Sequence, residues 1–102
     1  MISPSLCGLS PEVQVQLLAV FKKHSHIKKV ILYGSRAKGL FKSSSDIDLT
    51  LDAPQLDYIE FTKVVNEVDD LLLPYKVDLS IYNQLNNNYL ILEIDQFGIE
   101  LK

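Results

Sequence analysis

Gly34-Ser35 is followed, eleven residues after the serine, by Asp46-Ile47-Asp48 and later by Asp78. A glycine-serine turn can aim backbone amides at a phosphate, and three carboxylates can hold divalent cations that assist phosphoryl transfer. Three neighbouring carboxylates repel one another, and a hard cation relieves that repulsion. Mg²⁺ suits the set, because it takes oxygen ligands and keeps open positions for water or phosphate oxygens; Mn²⁺ could substitute. Two such ions, roughly 3.5–4 Å apart, could activate an acceptor hydroxyl and stabilise a departing pyrophosphate. In that scheme Asp46 and Asp48 bridge the ions, and Asp78 completes the shell beside the nucleophile and helps remove its proton. Gly34 and Ser35 hold the distal phosphates, with Arg36 or Lys38 offsetting their charge.

Each piece has an ordinary explanation as well. The chain has eight aspartates, so one Asp-x-Asp pair is close to what chance yields, and Gly-Ser is a common turn dipeptide. Asp78 could be a solvated strand residue paired with Lys76. The combined order is what carries weight, and it depends on the elements around these residues.

Val30-Ile31-Leu32-Tyr33 is a short apolar run rich in β-formers, which predicts a central strand buried on both faces. Gly34 permits a tight turn, Ser35 to Lys38 can start a short helix, and Gly39 ends it. The alternation of Asp46-Ile47-Asp48-Leu49-Thr50-Leu51 predicts a strand with Asp46, Asp48 and Thr50 on one face and the apolar residues on the other. Helical spacing takes over from Gln55 to about Leu73, with Leu56, Ile59, Val64, Val65, Val68, Leu71 and Leu72 forming the inward stripe, until Pro74 blocks continuation. Tyr75 to Ile81 alternates again, placing Asp78 opposite Val77, Leu79 and Ile81. Strands alternating with helices predict an α/β sandwich in which acids near strand ends converge beside the turn.

Outside this segment, Ser10 caps a helix that starts at Pro11, carries Val13, Leu17, Leu18 and Phe21 on one face, and fades near Lys23 and His24. A short helix is expected from the asparagines at 86–88 to Phe97, with Gly98 as its stop and a final strand at Ile99 to Leu101. The basic run Lys22 to Lys29 reads as a solvated connection. His24-Ser25-His26, with no carboxylate or cysteine close in sequence, receives no metal site.

Length and composition set bounds. A chain of 102 residues with 47% hydrophobic content predicts one domain over 1–102. A fused acceptor-binding module would not fit, so a large acceptor would be met across an interface, with homo- and hetero-oligomers both open. A net charge of −3 disfavours nucleic acid as a direct ligand. Cys7 is the single cysteine, which excludes an internal disulfide and suits a reducing compartment; it reads as a small unremarkable residue. No apolar run reaches the roughly 20 residues of a membrane span, and no signal peptide is visible. The expected location is the cytoplasm.

Two rival phosphate motifs fail. Gly34 to Gly39 matches the start of a P-loop, but Leu40 and Phe41 occupy the lysine and hydroxyl positions. Arg36 occupies the second glycine position of the dinucleotide-binding pattern.

The run Ile31 to Gly39 followed by Ser45-Asp46-Ile47-Asp48-Leu49 resembles the Gly-Ser and Asp-x-Asp signature of the minimal nucleotidyltransferases (MNT domains) of the DNA polymerase β superfamily. Val77-Asp78-Leu79 resembles the segment carrying their third carboxylate, and the likeness is clear over roughly residues 27–82. It implies the polymerase β-like fold, a small mixed sheet with helices packed on it. It also implies Mg²⁺ held by Asp46, Asp48 and Asp78, nucleotide phosphates at Gly34 and Ser35 with Arg36 and Lys38 nearby, and ATP or another nucleoside triphosphate as donor. Members of the family are often antitoxins of HEPN-domain proteins, and some transfer AMP to their partner. The resemblance therefore implies a nucleotidyltransferase antitoxin with a HEPN-domain partner; the alternative is a binding module that neutralises such a partner by complex formation alone.

Overall fold

The structure, a computed structural model, describes residues 8–102; the expectation for Cys7 lies outside the described residues. Helix α1 spans Pro11–Lys22, and the Ser10 hydroxyl accepts from the Val13 amide at 3.3 Å, as the capping pattern requires. Strands β1 (Lys29–Tyr33) and β2 (Ile47–Asp52) pair antiparallel. Helix α2 (Tyr58–Asp69) then carries the chain to β3 (Val77–Ile81), which lies parallel to β2. A 3-10 turn at Tyr82–Gln84, helix α3 (Asn88–Phe97) and β4 (Ile99–Glu100) complete the chain. The strand order is β3-β2-β1-β4, so the two strands flanking the Gly-Ser turn are the central ones.

The alternation in β2 sorts the molecule into layers. Ile47, Leu49 and Leu51 are fully buried and join Val30 and Leu32 of β1 in one core with Leu17 and Phe21 of α1 and Val64 and Val68 of α2. Asp48, Thr50 and Asp52 point to the opposite side. There α3 closes one end of the sheet, and Gly98 is so near β1 that a Cβ on it would stand 2.6 Å from Ile31 Cγ2.

Several expectations need adjustment. β1 buries Val30 and Leu32 completely, but Ile31 and Tyr33 on its other face are only half-buried, because α3 covers part of that face. The short helix expected after Gly34 is a set of turns through Gly39, closed by Lys38 N to Gly34 O at 3.3 Å and Leu40 N to Ser35 O at 2.9 Å. Helix α2 is shorter at both ends than the stripe suggested. Asp57 caps it through the Glu60 amide at 2.7 Å, and Leu72 after its end adopts φ 53. Ile59 and Leu72 of the expected inward stripe are largely exposed. The C-terminal helix starts under the Asn87 side chain, which accepts from the Leu90 amide at 3.2 Å, and ends at Gly98.

Candidate active site

Strand register places the acids. Tyr33 of β1 stands opposite Asp48 of β2, and Asp48 stands opposite Asp78 of β3, so the three form one row across the sheet. The next row is Ile31, Thr50 and Ser80, in which the buried Thr50 hydroxyl accepts from the Ser80 hydroxyl at 2.9 Å. Asp48 is half-buried, whereas Asp46 is exposed and sits just ahead of β2.

Burial is the largest influence on Asp48 and holds its carboxyl above the usual range; the negative charges of Asp78 and Asp46 and a hydrogen bond with Asp78 push the same way. Lys76 opposes this weakly, and its ammonium lies 3.8 Å from Asp78 Oδ1. Tyr33 is affected similarly: burial raises its phenol, Asp48 and Asp78 add to the rise, and Ser80 works against it. Concentrated negative charge on a half-buried surface is thus a property of the folded chain.

Gly34 makes this arrangement possible. Its φ of 78° favours glycine, and a Cβ there would stand 2.5 Å from Asp48 Oδ2. The carboxylate therefore lies directly against the backbone of the Gly-Ser turn. Ser35 follows within the same turn, its carbonyl accepting from the Leu40 amide, while both expected basic residues have side-chain partners within the protein. Lys38 forms an ion pair with Glu93 of α3 and lies 5.5 Å from the centre of the Phe97 ring.

Arg36, expected beside the phosphates, is 1% exposed. Its Nε and Nη2 donate to the Ser45 carbonyl at 3.2 and 2.9 Å, and the guanidinium stacks near Phe41 and Tyr75. Sequence order alone places a basic residue near the turn and gives no indication of these rings.

The donor chemistry of these acids suits a hard divalent cation. All donors are carboxylates, and their mutual repulsion, visible at Asp48, is what a cation would relieve. Among the described residues no three His, Cys, Asp or Glu side chains are placed as a group that could hold a metal ion; the strand register brings Asp48 and Asp78 together, while Asp46 stands exposed ahead of β2. An open site, completed by water or substrate oxygens, is the kind Mg²⁺ uses.

The histidines at 24 and 26 gain carboxylate partners that the sequence does not show. Both ring nitrogens of His24 meet carboxylates of α2, Nδ1 with Glu60 at 2.8 Å and Nε2 with Glu67 at 2.6 Å, while His26 reaches Glu60 at 3.1 Å. The partners lie 36 and 43 residues away from His24, beyond any local pattern. Among the described residues no helix is long and apolar enough to cross a membrane.

Comparisons with known proteins bear on the family and the fold. A family model described as "Polymerase beta, Nucleotidyltransferase" matches residues 15–102. Two Methanocaldococcus jannaschii proteins with a provisional assignment as protein adenylyltransferases are similar. One is 30% identical over 78 residues, covering 76% of this chain and 79% of its own, and the other is 28% identical over 79 residues with the same coverage. Among solved structures, a toxin-antitoxin complex with AMP-PNP contains a chain similar at TM-score 0.70 and 21% identity, covering 87% of this chain and 72% of that one. A complex of tri-AMPylated Shewanella oneidensis HEPN toxin with MNT antitoxin gives TM-score 0.66 at 18% identity, covering 89% and 70%. At such identities the structural likeness speaks to the fold.

Proposed function

The chain belongs to the polymerase beta nucleotidyltransferase family, and from that premise we propose that it transfers AMP from ATP to a hydroxyl of a HEPN-domain partner, using Mg²⁺ held by Asp46, Asp48 and Asp78. The observation that carries this reading is the alignment of Asp48 and Asp78 in one row, pressed against the Gly34 turn. The AMPylated toxin in one structural neighbour, AMP-PNP in another, and the adenylyltransferase assignment of the relatives support donor and acceptor.

Asp48 would hold the cation together with Asp78, which faces it across the strands, and Asp46, two residues before it. Bound there, Mg²⁺ would polarise the α-phosphate and ease deprotonation of the acceptor hydroxyl. Gly34 and Ser35 orient the distal phosphates along the turn. The acceptor oxygen bonds to the α-phosphorus as the bond to the β-phosphate bridging oxygen breaks, and pyrophosphate leaves. Asp78, on the outer strand, takes the proton from the acceptor.

The test is transfer of label from α-labelled ATP to the co-purifying partner in Mg²⁺. Wild type should label it, and Asp48→Asn should not while remaining folded; equal labelling by both rejects the assignment. Exposed Tyr89 and Leu92 on α3 favour the second reading, inhibition by binding alone. Under that reading Asp48→Asn would still neutralise the partner in full.

A further inference from the structure

Arg36 carries a permanent charge into a place with 1% exposure, and such burial is unfavourable unless the group is well partnered. Its partners come from every segment that builds the site. The guanidinium lies 5.2 Å from the Phe41 ring centre and 4.9 Å from that of Tyr75. Besides its two bonds to the Ser45 carbonyl it donates from Nη2 to the Ser43 carbonyl at 3.4 Å. On a further side Gly8 leaves the space it needs, since a Cβ there would stand 2.9 Å from Arg36 Nη1 and 2.4 Å from the Phe41 ring.

The placement in sequence gives these contacts their meaning. Arg36 is two residues beyond Gly34, so its backbone belongs to the turn. Ser45 precedes Asp46, and two donors on one carbonyl fix the peptide plane from which Asp46 emerges. Tyr75 opens the run to Asp78, and the Lys76 carbonyl between them accepts from the Ile47 amide at 2.9 Å.

We propose that Arg36 is a positioning residue that locks the Gly34 turn, the loop before Asp46 and the approach to Asp78 into one rigid unit, setting the spacing of the acids before any ligand arrives. This rests on reading Asp46, Asp48 and Asp78 as the cation site. A planar fork with several donors and two stackable faces suits the task, and a lysine ammonium lacks both properties.

The experiment compares wild type with Arg36→Met, Arg36→Lys and Phe41→Leu by two independent readouts. Hydrogen exchange reports on rigidity without any ligand. Mn²⁺ titration followed by electron paramagnetic resonance, with and without AMP-PNP, reports on the acids. Arg36→Met should loosen segments 34–40, 42–48 and 75–78 together while α1 and α2 keep their protection. It should also raise the Mn²⁺ concentration at half-saturation by about tenfold or more, the scale seen when groups supporting metal ligands are removed. Arg36→Lys should recover only a minor part of the loss.

Uniform loosening of the whole chain, unchanged exchange in the three segments, or full rescue by lysine overturns the proposal. If Arg36→Met does not fold, Phe41→Leu, which keeps the fork and removes one stacking face, must give the same pattern more weakly or the proposal fails. If wild type binds no Mn²⁺ under either condition, the cation-site reading is the part that fails, and the exchange pattern alone decides whether Arg36 couples the segments.

Discussion

Asp48 and Asp78 stand directly opposite each other on parallel neighbouring strands, and the charge of Asp78 adds to the burial that holds the Asp48 carboxyl above its usual range. Parallel neighbours are about 4.8 Å apart, so the fold holds two acids closer than their charges favour. The site is built at the expense of stability, as functional sites commonly are.

Asp48→Asn should therefore raise the melting temperature in metal-free buffer. A carboxyl whose folded pKa is raised stabilises the fold when protonated, and that contribution is lost as pH rises from about 3.8 through the folded value. Above the folded value the wild type has lost it, and the amide has no charge to lose. Mg²⁺ should raise the melting temperature of wild type and leave Asp48→Asn unmoved. Transfer should fall at least about 100-fold in the variant, because cation-assisted charge stabilisation is worth several kcal/mol and about 1.4 kcal/mol is tenfold in rate. Thermal melts with and without Mg²⁺, paired with the labelling assay, check all three expectations.

Gly34→Ala places a methyl 2.5 Å from Asp48 Oδ2 at a φ of 78°. The strain should cost about 1–3 kcal/mol in a urea melt, and transfer should drop by more than stability explains, because Asp48 must swing away. Full activity in a folded Gly34→Ala variant would show that the close approach is dispensable.

His24 should give the fold a weakly acidic optimum. Burial of its ring opposes protonation, but the hydrogen bonds and charges of Glu60 and Glu67 outweigh it, so the imidazole stays above its ordinary 6.5. Contacts with two carboxylates from both nitrogens require the doubly protonated ring. The stabilisation from His24 is complete below about 6.5 and disappears as pH rises through the folded value. Bonds to His24 and His26 lower Glu60, and bonds to Lys23 and His24 lower Glu67, so their contribution is present above about 4.5 and lost as pH falls through the folded values. The stability gap between wild type and His24→Gln should be widest between those limits and narrow as pH rises through the folded value of the ring. Urea melts across that range measure it, and a gap that grows with pH would contradict the charged-ring assignment.

Glu93→Gln should release Lys38 from its ion pair. A partly exposed pair is worth about 0.2–1 kcal/mol, so a freed ammonium should strengthen AMP-PNP binding by a few-fold at most in calorimetric titration, with the gain vanishing in high salt. Weaker binding would mean that the pair itself shapes the turn.

Much of this arrangement was legible in the residues, for local reasons. Ser10, Pro11 and Gly98 mark helix ends through backbone chemistry that depends on immediate neighbours, and the two-residue period of Asp46 to Leu51 sorts acids from core whatever surrounds it. The same period predicts a strand around Asp78, while its place next to the strand of Asp48 was an expectation that the register bears out. The limits were tertiary. A stripe from Leu56 to Leu72 gives no sign that Asp57 caps the helix inside it or that Leu72 turns outward. Arg36 beside Gly34 has the appearance of a phosphate ligand until Phe41 and Tyr75 are brought around it. The carboxylates that His24 lacks nearby in sequence arrive from α2 only when the chain folds.

The order β3-β2-β1-β4 leaves Asp78 on a border of the sheet. The Asp78 side chain is 47% exposed there, so under the proposed reaction a folded protein could present a single side chain along that flank. If the partner is the acceptor, selectivity among acceptors would then fall to whatever matches the ground beside that border.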